Sequence, residues 1–358
     1  MGICLEQRNS SYSTPPEVSI LSRVLLLICC VFFAATTFAA DADYRIIKKL
    51  PVGGEGGWDY LTVDGSARRL YLARSTHVMV LDLDTEKVVG DIPDTPGVHG
   101  IAVAPELNRG FTSNGRENSS TIFELSSLKV VGKAPCGTNP DAIIYDPHSR
   151  RVFTFNGRSH DATVFDAVTG KVVRTIPLGG KPEFATTDGA GRLYVNIEDT
   201  HEVVELDGSS PGVVRRFPLK PCEEPTGMGI DSKQGRLYSG CGNKLMTVLD
   251  TRGGKLLATL PIGANVDGNG YDGGTGLAFS ANGEGTLTIA KETYPGHFQV
   301  VQTVKTQRGS RTMAIDPITH NIYLPAAQFT PSPTPTPENP KARPEMIRGS
   351  FEILVIGK

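Results

Sequence analysis

The chain has 358 residues, of which 39% are hydrophobic, with 40 glycines, 25 prolines and a formal net charge of −2. No run of Lys or Arg exceeds two residues, so the basic patch of a nucleic-acid binder is absent and no nucleic-acid partner is expected. Many short apolar runs separated by Gly and Pro suit short strands and turns rather than long helices.

The first element is a targeting segment. Arg23 precedes the apolar run Val24 to Ala35, and Thr37-Phe38-Ala39 puts small residues at the −3 and −1 sites. That pattern predicts a signal peptide over residues 1–39, with cleavage after Ala39 and a periplasmic or secreted mature protein. The run is shorter than the roughly 20 residues a spanning helix needs, so no stable membrane span is expected after cleavage. Ile28 before Cys29-Cys30 is too bulky for a lipid-modification site. Cleavage leaves Cys136, Cys222 and Cys241, and an oxidising compartment permits one disulfide.

From Tyr44 to Gly53 the chain reads as a strand aligned with Lys171–Gly179 and Lys255–Gly263. Gly53 to Gly57 has no following helix or Lys-Ser/Thr, so it reads as a turn and not a phosphate loop. Repeats then begin at Trp58. The clearest copy is Pro140 to Gly179, with strands at Ala142–Tyr145, Val152–Phe155, Ala162–Phe165 and Lys171–Pro177 and turns at Asp146-Pro147, Asn156-Gly157 and Thr169-Gly170. Its first-strand end, Asp146, recurs about every 42 residues as Asp64, Ala104, Asp188, Asp231, Asp272 and Asp316. Seven four-stranded units at that period predict an all-β, seven-bladed β-propeller over residues 40–358. The last unit has strands near Thr312–Ile315, Asn321–Leu324 and Phe351–Ile356 and lacks a fourth. The N-terminal strand is expected to supply it, closing the ring and removing an open edge. A Pro-rich insertion, residues 326–350, separates strands two and three of that unit and favours an extended, solvated loop on the side where the innermost strands begin. It reads as a spacer or as a docking flap. Cys222, in the loop entering the fifth unit, and Cys241, at the end of that unit's second strand, are the expected disulfide, with Cys136 free.

These residues resemble the YncE-like YVTN β-propeller family. The Tyr-Val-Thr-Asn run is echoed by Phe111-Thr112-Ser113-Asn114 and Phe153-Thr154-Phe155-Asn156, and in shortened form by Tyr194-Val195-Asn196. The family's Asp-x-x-Thr-Gly-Lys-Val-Val turn stands complete at Asp166–Val173. Blades one, six and seven depart from the motif with Arg74, Ala281 and Ala326. The resemblance covers Tyr44 to Lys358 and implies the fold. It implies no single activity, because the family is functionally mixed.

At the entrance of each innermost strand one column reads Asp59, His99, Asp141, Glu183, Thr226, Asp267 and Arg311. The neighbouring column is Trp58, Val98, Pro140, Pro182, Pro225, Val266 and Ser310, mostly apolar or Pro scaffold, with Trp58 also a candidate for ligand binding. Polar residues at a propeller mouth are also ordinary wet surface. Asp59, His99, Asp141 and Glu183, however, come from four consecutive units and offer ligands for a divalent cation such as Ca²⁺, Mn²⁺ or Zn²⁺. Asp267 and Arg311 are candidates for a mutual ion pair. A second tier of candidates, Asn114, Arg116, Asn156, Arg158 and Asn196, lies at the ends of second strands, where the Asn-Gly pairs also read as turns and the arginines suit an anionic ligand.

Three functions remain open on this sequence. The leading one is a monomeric binding scaffold for a small molecule or a protein. A metal-dependent hydrolase or lyase of lactonase type, using the mouth carboxylates, is the alternative. The third is an electron-transfer partner subunit, whose redox group would have to come from another chain.

Overall fold

The computed structural model describes residues 1–2, 42–54, 56–331 and 344–358. The expected signal peptide and residues 332–343 of the Pro-rich insertion therefore lie outside the described residues. No helix among the described residues is long and apolar enough to cross a membrane.

Residues 42–358 form seven four-stranded antiparallel sheets arranged as propeller blades. Blade one spans 61–92, blade two 98–135, blade three 140–177, blade four 182–218, blade five 225–261 and blade six 266–305. Blade seven combines Ala314–Ile315, Ile322–Ala326 and Glu352–Gly357 with the N-terminal strand Arg45–Pro51. That strand pairs antiparallel with Glu352–Gly357, from Arg45 opposite Gly357 to Pro51 opposite Glu352. The expected closure is thus present, and the first strand of blade seven is shorter than its sequence suggested.

Burial follows position within the blade. The second strand of blade three, Arg151–Asn156, is buried at every residue but the first, because neighbouring blades cover both of its faces. The outermost strand, Val172–Pro177, is exposed except at Ile176. The core accordingly lies between blades. Phe153, Phe155 and Val164 of blade three pack on Leu193, Val195 and Leu206 of blade four, each such side chain contributing about 1.5–3 kcal/mol when fully buried. Asp turns fasten the strand ends. Asp166 accepts from the Thr169 N–H at 2.7 Å and from its hydroxyl at 2.9 Å, which explains the Asp-x-x-Thr motif as local capping. Cys222 and Cys241 are joined in blade five with Cα atoms 5.4 Å apart, and Cys136 is free.

Candidate functional site

One irregularity in the inner strands creates the site. In blades two to six the ladder between strands one and two loses register just after the strand entrance, for example between Pro140 and Ile143 and between Pro182 and Ala185. A bulge re-aims the side chains it contains. His99, Asp141, Glu183, Thr226 and Asp267 all lie within these breaks. Together with Asp59 and Arg311 they line one cavity of about 420 Å³ at the channel mouth. The whole predicted column is brought together.

Within the cavity, His99 Nδ1 lies 2.6 Å from Asp59 Oδ2 and 3.7 Å from Asp141 Oδ1. Asp59, His99 and Asp141 place one potential ligand atom each within 4.8 Å of one another, close enough to share a metal ion. Glu183 stands apart from this trio. Its Oε2 is 3.3 Å from Lys181 Nζ, which also binds Glu198, and that buried oxygen accepts no well-formed hydrogen bond. Arg311 Nε sits 2.9 Å from Asp267 Oδ2, so the expected pair forms.

The electrostatics are those of crowded, half-dry carboxylates. Burial raises Glu183 to about 8, helped by the Asp141 charge and opposed by Lys181. It raises Asp267 to about 7 in spite of Arg311, and Asp141 to about 6 in spite of His99. Burial alone would depress His99, but the hydrogen bond to Asp59 and the charge of Asp141 prevail and raise it to about 9. Tyr60 forms the floor, packed edge-on against Phe184 with ring centroids 5.1 Å apart. Its phenol is raised well above 10 by burial and by the surrounding carboxylates, so it remains a proton donor facing acceptors.

Below that floor blades one to four enclose a second, mainly apolar chamber of about 250 Å³. It is lined by Tyr60–Thr62, Gly100–Val103, Ala142–Tyr145 and Phe184–Thr187.

The second tier of candidates is placed differently. Asn114, Asn156 and Asn196 are fully buried. Asn114 donates to Thr121 Oγ1 at 2.9 Å, Asn156 to Thr163 Oγ1 at 3.0 Å, and Asn196 bonds to the Thr226 carbonyl of the next blade. Their amides are spent holding strands together. Arg116 and Arg158 are exposed and do not line the cavity. Trp58 packs at a tilt against Phe351 and Phe329, with ring centroids 5.2 and 5.9 Å away, beside the root of the insertion.

Two acids escaped the sequence reading. Glu198 occupies in blade four the position that Gly115 and Gly157 hold in blades two and three, its N–H donating to the Lys181 carbonyl as theirs donate to Gly97 and Asn139, so an acid in a column of glycines was the signal that could have revealed it. Glu224 sits two residues before Thr226, at a left-handed turn (φ 48°) where other blades place Gly97, Asn139, Asn265 and Gly309. A glutamate is uncommon there, and both acids line the mouth. The cavity thus carries six carboxylates, from Asp59, Asp141, Glu183, Glu198, Glu224 and Asp267, against His99 and Arg311 in its wall and Lys181 behind it.

No protein-family model matches the chain, and no curated protein matches it. Among solved structures it is similar to hydrazine synthase of Kuenenia stuttgartiensis, with a TM-score of 0.67 and 16% identity over 84% of this chain and 96% of that one. At that identity the likeness is one of fold.

Proposed function

We propose that this is an exported binding propeller of the YncE-like YVTN type, acting in the periplasm or outside the cell, whose acidic mouth receives a cationic ligand. The observation that carries this reading is the imbalance of six carboxylates against three basic side chains around one cavity. Burying like charges costs free energy that a bound cation returns. Asp59, His99 and Asp141 are the residues that would hold a divalent ion. One imidazole with two carboxylates suits Mn²⁺ or Zn²⁺ better than all-oxygen Ca²⁺. A bound ion would supply Lewis acidity at the mouth. His99 would give up its Nδ1 proton to bind it, and Tyr60 would offer a hydrogen bond from the floor.

One feature favours a second reading, a metal-dependent hydrolase or lyase of lactonase type. The same cavity unites a metal trio with the protonated phenol of Tyr60, a Lewis acid site beside a proton donor. Calorimetric titration with Mn²⁺, Zn²⁺ and Ca²⁺ tests both readings. Micromolar binding, weakened at least about tenfold in Asp141→Ala with no fall in melting temperature, is expected for the cation site. Absence of heat for all three ions, with unaltered Asp141→Ala behaviour, sinks the metal site and the hydrolase with it. Turnover of a lactone panel by the metal-loaded protein would decide between scaffold and enzyme.

A further inference from the structure

Beside the acidic mouth, the root of the Pro-rich insertion forms an apolar cleft of about 720 Å³. Ala327, Phe329, Pro331, Pro344 and Ile347 wall one side, and Gly283 with Gln307–Gly309 the other. We propose that this cleft and the mouth together dock an extended peptide segment carrying a Lys or Arg side chain next to apolar residues. The inference rests on the reading of the mouth as a cation site and names the partner class.

Three observations support it. First, the two cavities adjoin: a Cβ placed on Gly283, which lines the cleft, would lie 3.5 Å from Cβ of Arg311, which lines the mouth. Their joint volume passes the range of roughly 300–1,000 Å³ usual for a small-molecule pocket. Second, the cleft presents apolar side chains to solvent, Phe329 at 40% and Ile347 at 43% exposure, in a fold whose other exposed large apolar residues lie mostly on outer strands.

Third, the insertion leaves the blade as a two-stranded ribbon with an open edge. Phe329 faces Met346 across it. Thr330 N–H donates to the Glu345 carbonyl at 2.8 Å, and Ile347 N–H donates to the Gln328 carbonyl at 2.8 Å. In antiparallel register those bonds belong to the flanking residues, so the N–H and C=O of Phe329 turn to the opposite edge. There they meet no hydrogen-bond partner among the described residues. An extended chain pairs with such an edge and places alternate side chains in pockets. An apolar cleft alone would accept any greasy group. The carboxylates next door select a neighbouring cation: Arg311 Nε is already committed to Asp267, and the charged side chain of the cleft wall itself is Arg308, which keeps the peptide's Lys or Arg on the mouth side and its apolar residues in the cleft.

The test uses the single tryptophan, Trp58, whose ring packs on Phe329 and reports on the cleft. The full mature chain would be titrated with acetyl-Val-Lys-Val-Phe-Val-amide, with the same peptide carrying Gln for Lys, and with n-butylammonium. A Kd for the Lys peptide at least about tenfold below both others is expected. Phe329→Asp and Ile347→Asp should each weaken that peptide at least about tenfold and leave the Mn²⁺ heat unchanged, which also shows that each variant is folded. Equal affinity for the Lys and Gln peptides, or no loss in either variant while Mn²⁺ still binds, overturns the peptide site and leaves the cation site standing. Failure of Mn²⁺ and all three probes alike removes both. If deleting residues 332–343 tightens the Lys peptide tenfold, the chain's own Lys341 and Arg343 are the occupant. If Trp58 emission instead follows protein concentration without peptide, a second copy is. Either result overturns the proposal of a separate partner.

Discussion

Blades one to four and blades five to seven use the same innermost strand to opposite ends. In the first half Tyr60, Ala142, Phe184 and their neighbours enclose the lower chamber, with the Tyr60 N–H donating to the His99 carbonyl of blade two at 3.2 Å above it. In the second half the strands read Thr-Gly-Met-Gly-Ile at 226–230 and Asp-Gly-Asn-Gly-Tyr at 267–271, and the backbones close on each other. A Cβ on Gly227 would lie 2.4 Å from the Asn269 nitrogen, and one on Gly229 would lie 2.6 Å from the Gly270 carbonyl carbon. The Gly268 N–H also donates across blades to the Arg311 carbonyl at 2.7 Å. One half is therefore a sealed wall and the other an off-centre cavity. Charge follows the same division. In the sealed half Arg311 pairs with Asp267 and one further acid, Glu224, lines the mouth, whereas in the open half four acids, Asp59, Asp141, Glu183 and Glu198, share His99 and Lys181 among the described residues. Glycine, by setting how near two strands come, decides where a ring of similar blades keeps its pocket.

The sealed half includes the blade that closes the ring, so the largest effect is expected there. Removing Arg45–Pro51 leaves Glu352–Gly357 as an unpaired edge, and the protein should lose cooperative unfolding and aggregate. Size-exclusion chromatography with thermal unfolding checks this, and a monomer with unchanged melting would contradict it.

Next comes the contrast itself. Gly227→Ala should destabilise by about 3 kcal/mol, since its methyl meets backbone that cannot step aside. Thr186→Val, facing the lower chamber, should stay within about 0.5 kcal/mol. Urea unfolding of both variants measures the difference, and equal losses would erase the distinction between the halves.

The smallest effect has the opposite sign. Glu183, Asp141 and Asp267 have folded pKa values raised above their unfolded ones, so the folded state binds more protons between about pH 4 and 8. Stability of the cation-free protein should fall as pH rises through that window. Glu183→Gln removes the largest of these burdens. It should raise stability at pH 8 by about 1 kcal/mol, have little effect near pH 4, and flatten the pH profile. A variant less stable than the parent at pH 8 would show that Lys181 outweighs burial at this position.

Much of the fold was legible because its signals are local. The Asp turns, the alternating strands, the period near 42 residues and the orphan fourth strand at 45–51 each follow from short-range geometry that repeats along the chain. The mouth column was legible for the same reason, since equivalent positions in a repeat must converge on one ring. The sequence could not show that Asn114, Asn156 and Asn196 turn inward. A buried strand end and a wet one carry the same Asn, and only the hydroxyl partners Thr121 and Thr163 and the Thr226 carbonyl of the next blade distinguish them. Glu198 and Glu224 stood outside the aligned column and reach the mouth because Glu198 directly follows the second strand of blade four and Glu224 sits in a left-handed turn. Residue pattern by itself determined the number of blades, their order and their closure. The tertiary structure alone decided how closely each pair of blades packs, and with it the off-centre cavity, the uneven charge around it and the cleft beside it, because those depend on distances between strands far apart in the chain.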